Sequence, residues 1–366
     1  METSRIVETG DADTRAAMRL KNRRKRIKYG YVMALFTCIL WAMWYIPGNL
    51  MWVISPFADL YDVVVVSHGD NVAMIVVAVL ISAGNALAGG LMLFLWNAPL
   101  RKLKEMKRTI VEFHNVTKYL IIGSVCAGPI AIFGSYLATG FIGAAFAAVA
   151  CLGYPVVGTL LSATWLGQKI SKRAIFAIAV IVCGCISVYL GGLINELASG
   201  NVRPLGYIGG LMAIFGWGLE GAVAAKAMEV AQPDVMFHIR VMSEAGLWWL
   251  IIIPIFLLAG FPFIDYIVML FTNPVSLMVI LVSGLTFGFC NLTWYKSFAL
   301  IGVGRGQGLA AMNALFALVF IFIFTGVVPQ WTLAIGGIVC VIGLLIMFSE
   351  DDSNLETLKG AQEAAK

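Results

Sequence analysis

Residues 19–53 read RLKNRRKRIKYGYVMALFTCILWAMWYIPGNLMWV, and the character of the sequence changes sharply within them. The first ten of these residues include seven basic side chains, whereas the remaining 25 include no charged side chain. That apolar part exceeds the roughly 20 residues that a membrane-spanning helix needs. It is too long for a cleaved signal peptide, so it is predicted to be a permanent span. A basic flank is typical of the cytoplasmic side of a membrane, and 1–28 is predicted to be a cytoplasmic arm.

The composition of the 366 residues supports the same class of protein. Hydrophobic residues make up 60% of the chain and charged residues only 12%, about half the charged fraction of a typical soluble domain. A soluble fold could not bury so much apolar surface, so an all-α polytopic membrane protein in a lipid bilayer is predicted. In this setting the basic arm does not indicate a nucleic-acid partner. The seven cysteines show no metal or disulfide spacing, and no cofactor is predicted.

Ten apolar segments follow one another along the chain, each near or above the length of a span. They lie at 29–53, 71–97, 118–138, 141–165, 174–194, 205–226, 236–260, 275–298, 304–328 and 331–349. Basic residues concentrate around the connections after the second, fourth, sixth and eighth segments, whereas the alternate connections hold one basic residue, Arg203. By the positive-inside rule, both termini of a multi-pass protein of the cell (plasma) membrane are predicted to be cytoplasmic, including the tail at 350–366.

The two halves of the chain carry a weak internal repeat. Gly30-Tyr31 in the first segment aligns with Gly206-Tyr207 in the sixth, and Trp41 then aligns with Trp217. Each half, 29–194 and 205–349, has five segments, so the second half is predicted to enter the membrane the opposite way round. The predicted architecture is therefore ten transmembrane helices in two inverted five-helix repeats. Such repeats are typical of transporters that give each side of the membrane alternating access to a central site.

Several short motifs add a resemblance to a known family. They are LWAMW at 40–44, GWGLE at 216–220, Thr139-Gly140 followed by Tyr154-Pro155, and LGQK at 166–169. Over 29–349 the chain resembles the EamA-type branch of the drug/metabolite transporter superfamily. LGQK is similar to a Leu-Gly-Glu-basic signature of that family, with Gln168 in place of the glutamate, and the second half lacks this signature. The resemblance implies a ten-helix transporter but no particular solute, because the superfamily carries amino acids, sugars, nucleotide sugars and organic cations.

Two glutamates lie deep in predicted spans, where an ionisable side chain costs at least about 2.5–3.5 kcal/mol and usually marks a pathway or a partner. Glu244 follows Arg240 by one helical turn on the same face. The two are predicted either to form an ion pair or to act in gating or proton coupling. Glu220 has no oppositely charged residue at i±3 or i±4. It is predicted to be a counter-ion for a cationic solute or a proton carrier, and the alternative is a glutamate that is protonated or paired with another helix.

Aromatic residues are dense in the same segments. The residues expected to line a substrate site with Glu220 are Trp41, Trp44, Tyr45, Tyr136, Tyr154, Trp217 and Trp294, together with the polar Asn313. Rings around a carboxylate commonly bind quaternary ammonium groups, and each cation–π contact gives about 0.5–2 kcal/mol. Helix packing is the alternative for each ring. The neighbouring Trp248 and Trp249 are expected at the lipid face.

These features predict a secondary transporter that moves a small organic solute by alternating access, with a coupling proton or an exchanged solute. A small organic cation or zwitterion such as a quaternary amine is favoured, and export of amino acids or related metabolites is the alternative. An enzyme is not predicted, because no nucleophile and base are visibly paired. A membrane-embedded enzyme and a non-transporting receptor remain minor alternatives. The sequence leaves open a homodimer and the direction of transport.

Overall fold

The computed structural model describes residues 2–165, 167, 170–200, 202–228, 232–326 and 328–349. These residues are helical apart from short connections, and this part of the chain contains no β-strand. The tail at 350–366 lies outside the described residues, as do residues 166, 168 and 169 of the LGQK motif. The prediction of an all-α fold is confirmed.

Ten apolar helices occur in the predicted order. They are α1 (Glu2–Leu50), α2 (Asp70–Asn97), α3 (His114–Phe141), α4 (Ala144–Trp165), α5 (Lys172–Ser199), α6 (Pro204–Ala227), α7 (Pro233–Leu258), α8 (Pro274–Ile301), α9 (Val303–Thr325) and α10 (Trp331–Phe348). The connections contain three further helices, Phe57–His68, Leu103–Glu112 and Phe263–Phe271.

Within the described residues, nine helices (α1 to α9) are long and apolar enough to cross a membrane. The helix α10 has 18 residues, which corresponds to about 27 Å at 1.5 Å per residue. This is slightly less than the hydrocarbon core of a bilayer, about 30 Å. The structure therefore shows a multi-pass helical membrane protein, and the tenth span stays a prediction.

Three helices depart from regular α-helical geometry next to a proline: α4 contains a 3-10 segment, Cys151–Gly153, before Pro155, and α3 and α7 contain π-helical segments. In α3 a π-helical segment, Cys126–Ile132, contains Pro129, and in α7 another, Trp248–Ile252, ends just before Pro254. Proline has no backbone N–H and its ring clashes with the carbonyl four residues earlier, so the hydrogen-bond ladder opens locally. The irregular segment of α3 packs against α6, which brings the opened backbone to the middle of the molecule.

The helices pack in a regular order. The first helix, α1, packs on α8 and α9, whereas α6 packs on α3 and α4. In the same way α2 packs on α7 and α8, α7 also packs on α3, and α5 packs on α10. When every helix number is shifted by five, each contact becomes another contact of this set or, for α2 with α7 and α5 with α10, the same contact. Glycines permit the closest approaches: a Cβ at Gly134 of α3 would lie 2.6 Å from the carbonyl oxygen of Gly209 in α6.

Candidate functional site

A fully buried group of charged side chains lies between α6 and α7. Arg240 of α7 places its Nη1 2.5 Å from Oε2 of Glu244, one turn later, and its Nε 2.8 Å from Oε1 of Glu220 in α6. All three side chains are 0% exposed. Tyr295 of α8 donates a hydrogen bond to Glu220 Oε1 at 3.0 Å. Glu220, Arg240 and Glu244 are termed the charged triad below.

The structure gives different outcomes for the two glutamates whose partners were predicted from their spacing in the sequence. The ion pair between Arg240 and Glu244 is present as their spacing predicts. Glu220 is paired too, but with a residue of another helix, which is the alternative that the sequence left open. Among the described residues, Glu220 Oε2, Glu244 Oε1 and Arg240 Nη2 have no hydrogen-bond partner. The triad therefore retains hydrogen-bonding capacity on both its acidic and its basic members.

Glycines make room for the triad. A Cβ at Gly128, in the π-helical segment of α3, would lie 2.5 Å from Glu244 Cγ. On α6, a Cβ at Gly216 would lie 2.5 Å from the carbonyl oxygen of Cys126 in α3, and one at Gly218 would meet α4 just as closely. Gly216 and Gly218 let α3 and α4 approach α6 closely, and Gly128 leaves room for the Glu244 side chain.

Two phenylalanine rings cover the guanidinium. Arg240 Cζ lies 5.7 Å from the ring centroid of Phe237 and 5.7 Å from that of Phe287. At such distances a cation is attracted by the faces of the rings. Phe287 also contacts Trp44, with 6.3 Å between centroids. One ring therefore connects the triad with the aromatic residues of α1.

The aromatic residues predicted from α1, α4, α6 and α8 meet around Trp41. Its ring centroid lies 4.8 Å from Trp217, 5.2 Å from Trp294 and 5.6 Å from Tyr154. Trp217 precedes Glu220 by three residues, so the rings and the triad share one face of α6. Trp44 extends the group to Tyr136, at 5.2 Å. The aromatic cluster below is Trp41, Trp44, Tyr136, Tyr154, Trp217 and Trp294, all buried.

A polar layer borders the aromatic cluster on α2. Asn85 Oδ1 accepts hydrogen bonds from Trp44 Nε1 at 3.0 Å and from Ser283 Oγ at 2.8 Å. The Tyr136 hydroxyl lies 3.2 Å from Ser283 Oγ. An indole N–H can only donate, so it fixes which end of the Asn85 amide faces Trp44. The Asn85 Nδ2 group is then a buried donor without a partner among the described residues.

A closed cavity, too small to hold a water molecule, lies against the aromatic cluster. Its walls are Trp41, Trp44, Trp217, Phe287, Cys290 and Asn291. Asn291 donates to the carbonyl of Phe287 at 3.0 Å, and its Oδ1 has no partner in the described part of the chain. The cavity thus has aromatic walls, one polar group and the triad behind the Phe287 ring.

Two expected site residues lie at the margin of this arrangement. Tyr45 contacts Trp44, with centroids 5.4 Å apart, but its hydroxyl lies 3.5 Å from Cys151 Sγ. Asn313 is buried, and its Nδ2 donates to the carbonyl of Ala310 in its own helix at 2.9 Å. The structure brings six of the expected aromatic residues together with the triad and gives Asn313 a contact within α9.

Gln307 of α9 was not among the residues selected from the sequence, yet its hydrogen bonds join α9 to α4 and α6. Its side-chain Nε2 donates to the backbone carbonyl of Trp217 at 3.1 Å. Its backbone carbonyl accepts a hydrogen bond from the Tyr154 hydroxyl at 3.1 Å. A Cβ on Gly158 or on Gly221 would overlap the Gln307 amide. Glycines facing each other from α4 and α6 were the available signal, because they mark a side chain that needs their space.

At the end of the bundle where α2 ends and α7 begins, a second polar group joins these helices. Lys102 forms an ion pair with Asp234, and the Asp234 side chain is only 3% exposed. Asn97 Nδ2 donates to His238 Nδ1 at 3.2 Å. No set of three metal-ligating side chains occurs in the described residues. Both polar contacts join the end of α2 and the connection after it to the beginning of α7.

Comparison with known proteins supports the fold alone. No protein-family model matches the sequence. No curated protein matches it either. Sixteen chains of solved structures match it. One of them, described only as the crystal structure of a protein, has a TM-score of 0.57 at 13% identity and covers 87% of this chain and 95% of its own length. That identity is too low to transfer a function.

Proposed function

We propose that this protein is a secondary transporter that moves a small organic solute by alternating access, with the solute bound between the aromatic cluster and the charged triad. The observation that carries the proposal is the composition of the triad. Two carboxylates and one guanidinium lie together at 0% exposure inside a membrane-spanning bundle. Ionisable groups are costly at this depth and usually mark the path of a solute or proton.

The charge of the triad is unbalanced. With all three groups ionised, it carries one negative charge in excess. An uncompensated buried charge is strongly unfavourable, so the triad needs one more positive charge. A proton on Glu220 or Glu244 supplies that charge when no solute is bound, and a cationic group of the solute supplies it when solute enters. Exchange between proton and solute would then couple transport to a proton gradient.

The surroundings of the triad favour a small cation or zwitterion. The aromatic rings offer faces to an ammonium group, and quaternary ammonium groups are commonly recognised in this way. Arg240 adds a guanidinium, whose planar fork suits a carboxylate. A solute with both an ammonium and a carboxylate group would therefore find a partner for each. Because Arg240 can bind a carboxylate, amino acids are candidates for export as well as quaternary amines.

The packing of the helices supports the proposal of two inverted repeats. The contacts of α1 with α8 and α9 correspond to those of α6 with α3 and α4, and the contact of α2 with α8 corresponds to that of α7 with α3. Two structurally equivalent halves would make such corresponding contacts. In transporters with inverted repeats, alternating access arises when the two halves exchange their conformations. The proposed family remains the EamA-type branch of the drug/metabolite transporter superfamily.

The proposed placement is the cell membrane, with both termini in the cytoplasm. It rests on the basic residues around α1, around the short helix Leu103–Glu112 and before α5. In this orientation the Lys102–Asp234 ion pair lies at the inner end of the bundle. We propose that this pair, with Asn97 and His238, holds α2 to α7 and closes the inner side of the solute path.

A binding test on the purified protein addresses the solute class. Thermal unfolding is measured with choline, glycine betaine, alanine, a sugar and a nucleotide sugar. A ligand present at 100 times its Kd stabilises the protein by about 2.7 kcal/mol, which is visible as a shift in Tm. We expect a shift with choline, glycine betaine or alanine that is smaller in Glu220→Gln and unchanged in Glu112→Gln, since Glu112 is 59% exposed. Shifts confined to sugars would refute the proposed solute class.

A further inference from the structure

A second pocket opens at the opposite end of the bundle, where α5 ends and α6 begins. It has a volume of about 370 Å³, which lies at the small end of the range for ligand pockets, about 300–1,000 Å³. The ends of α3 and α5 and the beginnings of α4, α6 and α10 surround it. The side chains used in the argument below are Phe146, Glu196, Arg203, Tyr207 and Gln330. This group is termed the Arg203 pocket.

Arg203 gives the pocket a positive charge. It is the basic residue that stands apart from the positive-inside pattern of the sequence, and in the structure it is only partly exposed. Its Nη1 donates to the carbonyl of Phe141 at 2.8 Å. In the described part of the chain no carboxylate lies within ion-pair distance, 4.0 Å, of its guanidinium. A guanidinium has five N–H donors, so most of them remain available to a ligand.

Glu196 gives the same pocket a negative charge. Its Oε2 accepts a hydrogen bond from the backbone N–H of Arg203 at 2.9 Å, which holds the carboxylate at the beginning of α6. The helix α10 begins directly after Gln330, which also lines the space, so the positive end of its helix dipole lies at the pocket. The pocket therefore combines one acidic and one basic side chain on a space of small-molecule size.

Aromatic rings form the apolar part of the pocket. Phe146 and Tyr207 lie with their ring centroids 5.1 Å apart, and both line the space. Such faces suit the alkyl or quaternary ammonium part of a small solute.

We propose that the Arg203 pocket is a second ligand site, which binds a small zwitterion with its carboxylate on Arg203 and its ammonium group on Glu196. The site is separate from the charged triad, since the two share no residue. Binding at this pocket does not depend on transport through the triad, so the two proposals can fail independently.

The test measures chemical modification of Arg203 in the full-length purified protein. Phenylglyoxal reacts with accessible guanidinium groups, and mass spectrometry reports the modified fraction of each arginine. The probes are glycine betaine and alanine, with choline as the control that lacks a carboxylate. A zwitterion at twice its Kd slows the reaction of Arg203 about threefold by mass action. The exposed Arg108 serves as the internal reference and should react at the same rate throughout.

We expect glycine betaine or alanine to protect Arg203 and choline to leave it unprotected. Equal modification rates with and without both zwitterions would overturn the proposal, as would equal protection by choline. The same reaction is run in detergent and in phosphatidylcholine nanodiscs, because that headgroup is also zwitterionic. Protection in the nanodiscs without added solute would assign the pocket to a lipid headgroup and overturn a soluble ligand.

Two variants separate this pocket from the triad. Glu196→Gln keeps an acceptor for the backbone N–H of Arg203 but removes the negative charge, so the Kd of the zwitterion should rise at least about tenfold, a loss of roughly 1.4 kcal/mol. At the same zwitterion concentration, the threefold protection should then fall to about 1.2-fold. Glu220→Gln should leave the protection unchanged. The reverse result would place the zwitterion at the triad and overturn the proposal. If Glu196→Gln does not assemble, the comparison of probes on the unaltered protein still decides.

Discussion

Replacing Arg240 with methionine asks whether charge or packing holds the triad together. The guanidinium lies 2.8 Å from one carboxylate and 2.5 Å from the other, at 0% exposure. Methionine is long, flexible and apolar, so it can fill the space between the rings of Phe237 and Phe287. It cannot balance Glu220 and Glu244. Removing one partner of a buried ion pair costs about 3–5 kcal/mol, and Arg240→Met should lower the free energy of unfolding by that amount.

A second variant separates the two contributions. Adding Glu220→Gln and Glu244→Gln to Arg240→Met removes every charge of the triad while keeping its approximate shape. Neutral replacement of a whole buried ionic group is often harmless, and it stabilises some proteins by about 1–4 kcal/mol. The triple variant should therefore regain most of the stability that Arg240→Met loses. The control is Arg108→Met, which removes an exposed pair with 3.8 Å between the Arg108 and Glu112 side chains and should cost about 0–1 kcal/mol.

The assay is thermal and denaturant unfolding of the purified proteins, followed by tryptophan fluorescence. If Arg240→Met and the triple variant lose the same stability, the contribution of Arg240 comes from packing on the two rings and the charge argument fails. If Arg240→Met is as stable as the unaltered protein, the triad has no unbalanced charge to compensate. Either result would remove the basis for proton and cation exchange at this site.

Three further substitutions test the surroundings. Gly128→Ala places a Cβ 2.5 Å from Glu244 Cγ and should cost about 1–3 kcal/mol of stability in an unfolding assay. The control is Gly246→Ala, which has open space at its Cβ and should be neutral or slightly stabilising. Trp44→Phe removes a buried hydrogen bond of 3.0 Å and should cost about 0.5–1.5 kcal/mol, whereas an unchanged melt would remove the polar layer from the account. Lys102→Met breaks the ion pair at the proposed inner end and should raise access of thiol reagents to the solute path relative to Lys104→Met; equal access would contradict the proposed closing role.

The spacing of residues along single helices was a reliable guide to this fold. The apolar segments predicted nearly every helix, because a spanning segment must satisfy its backbone hydrogen bonds internally and leaves a long hydrophobic signature. The ion pair of Arg240 with Glu244 followed from their separation of one turn. The meeting of Trp41 with Trp217 brings together residues that the internal repeat had already aligned.

Contacts between helices were not predictable in the same way. The partner of Glu220 lies on α7, and no local pattern specifies which helices face each other. Trp248, expected at the lipid face, is instead 1% exposed and packs on Phe133, with centroids 6.1 Å apart. It begins the π-helical segment of α7, where the wider turn shifts the angular order of side chains that regular helical spacing assumes.

Solute flux into proteoliposomes containing the purified protein tests the central claim most directly. Choline, glycine betaine and alanine are supplied in turn outside the vesicles, and a pH-sensitive dye inside reports proton movement together with radiolabelled uptake. The account predicts that at least one of these solutes moves in exchange for protons through the unaltered protein and through Glu112→Gln, but not through a folded Glu220→Gln. No movement of any of the three through the unaltered protein, or equal coupled flux in Glu220→Gln, would contradict it.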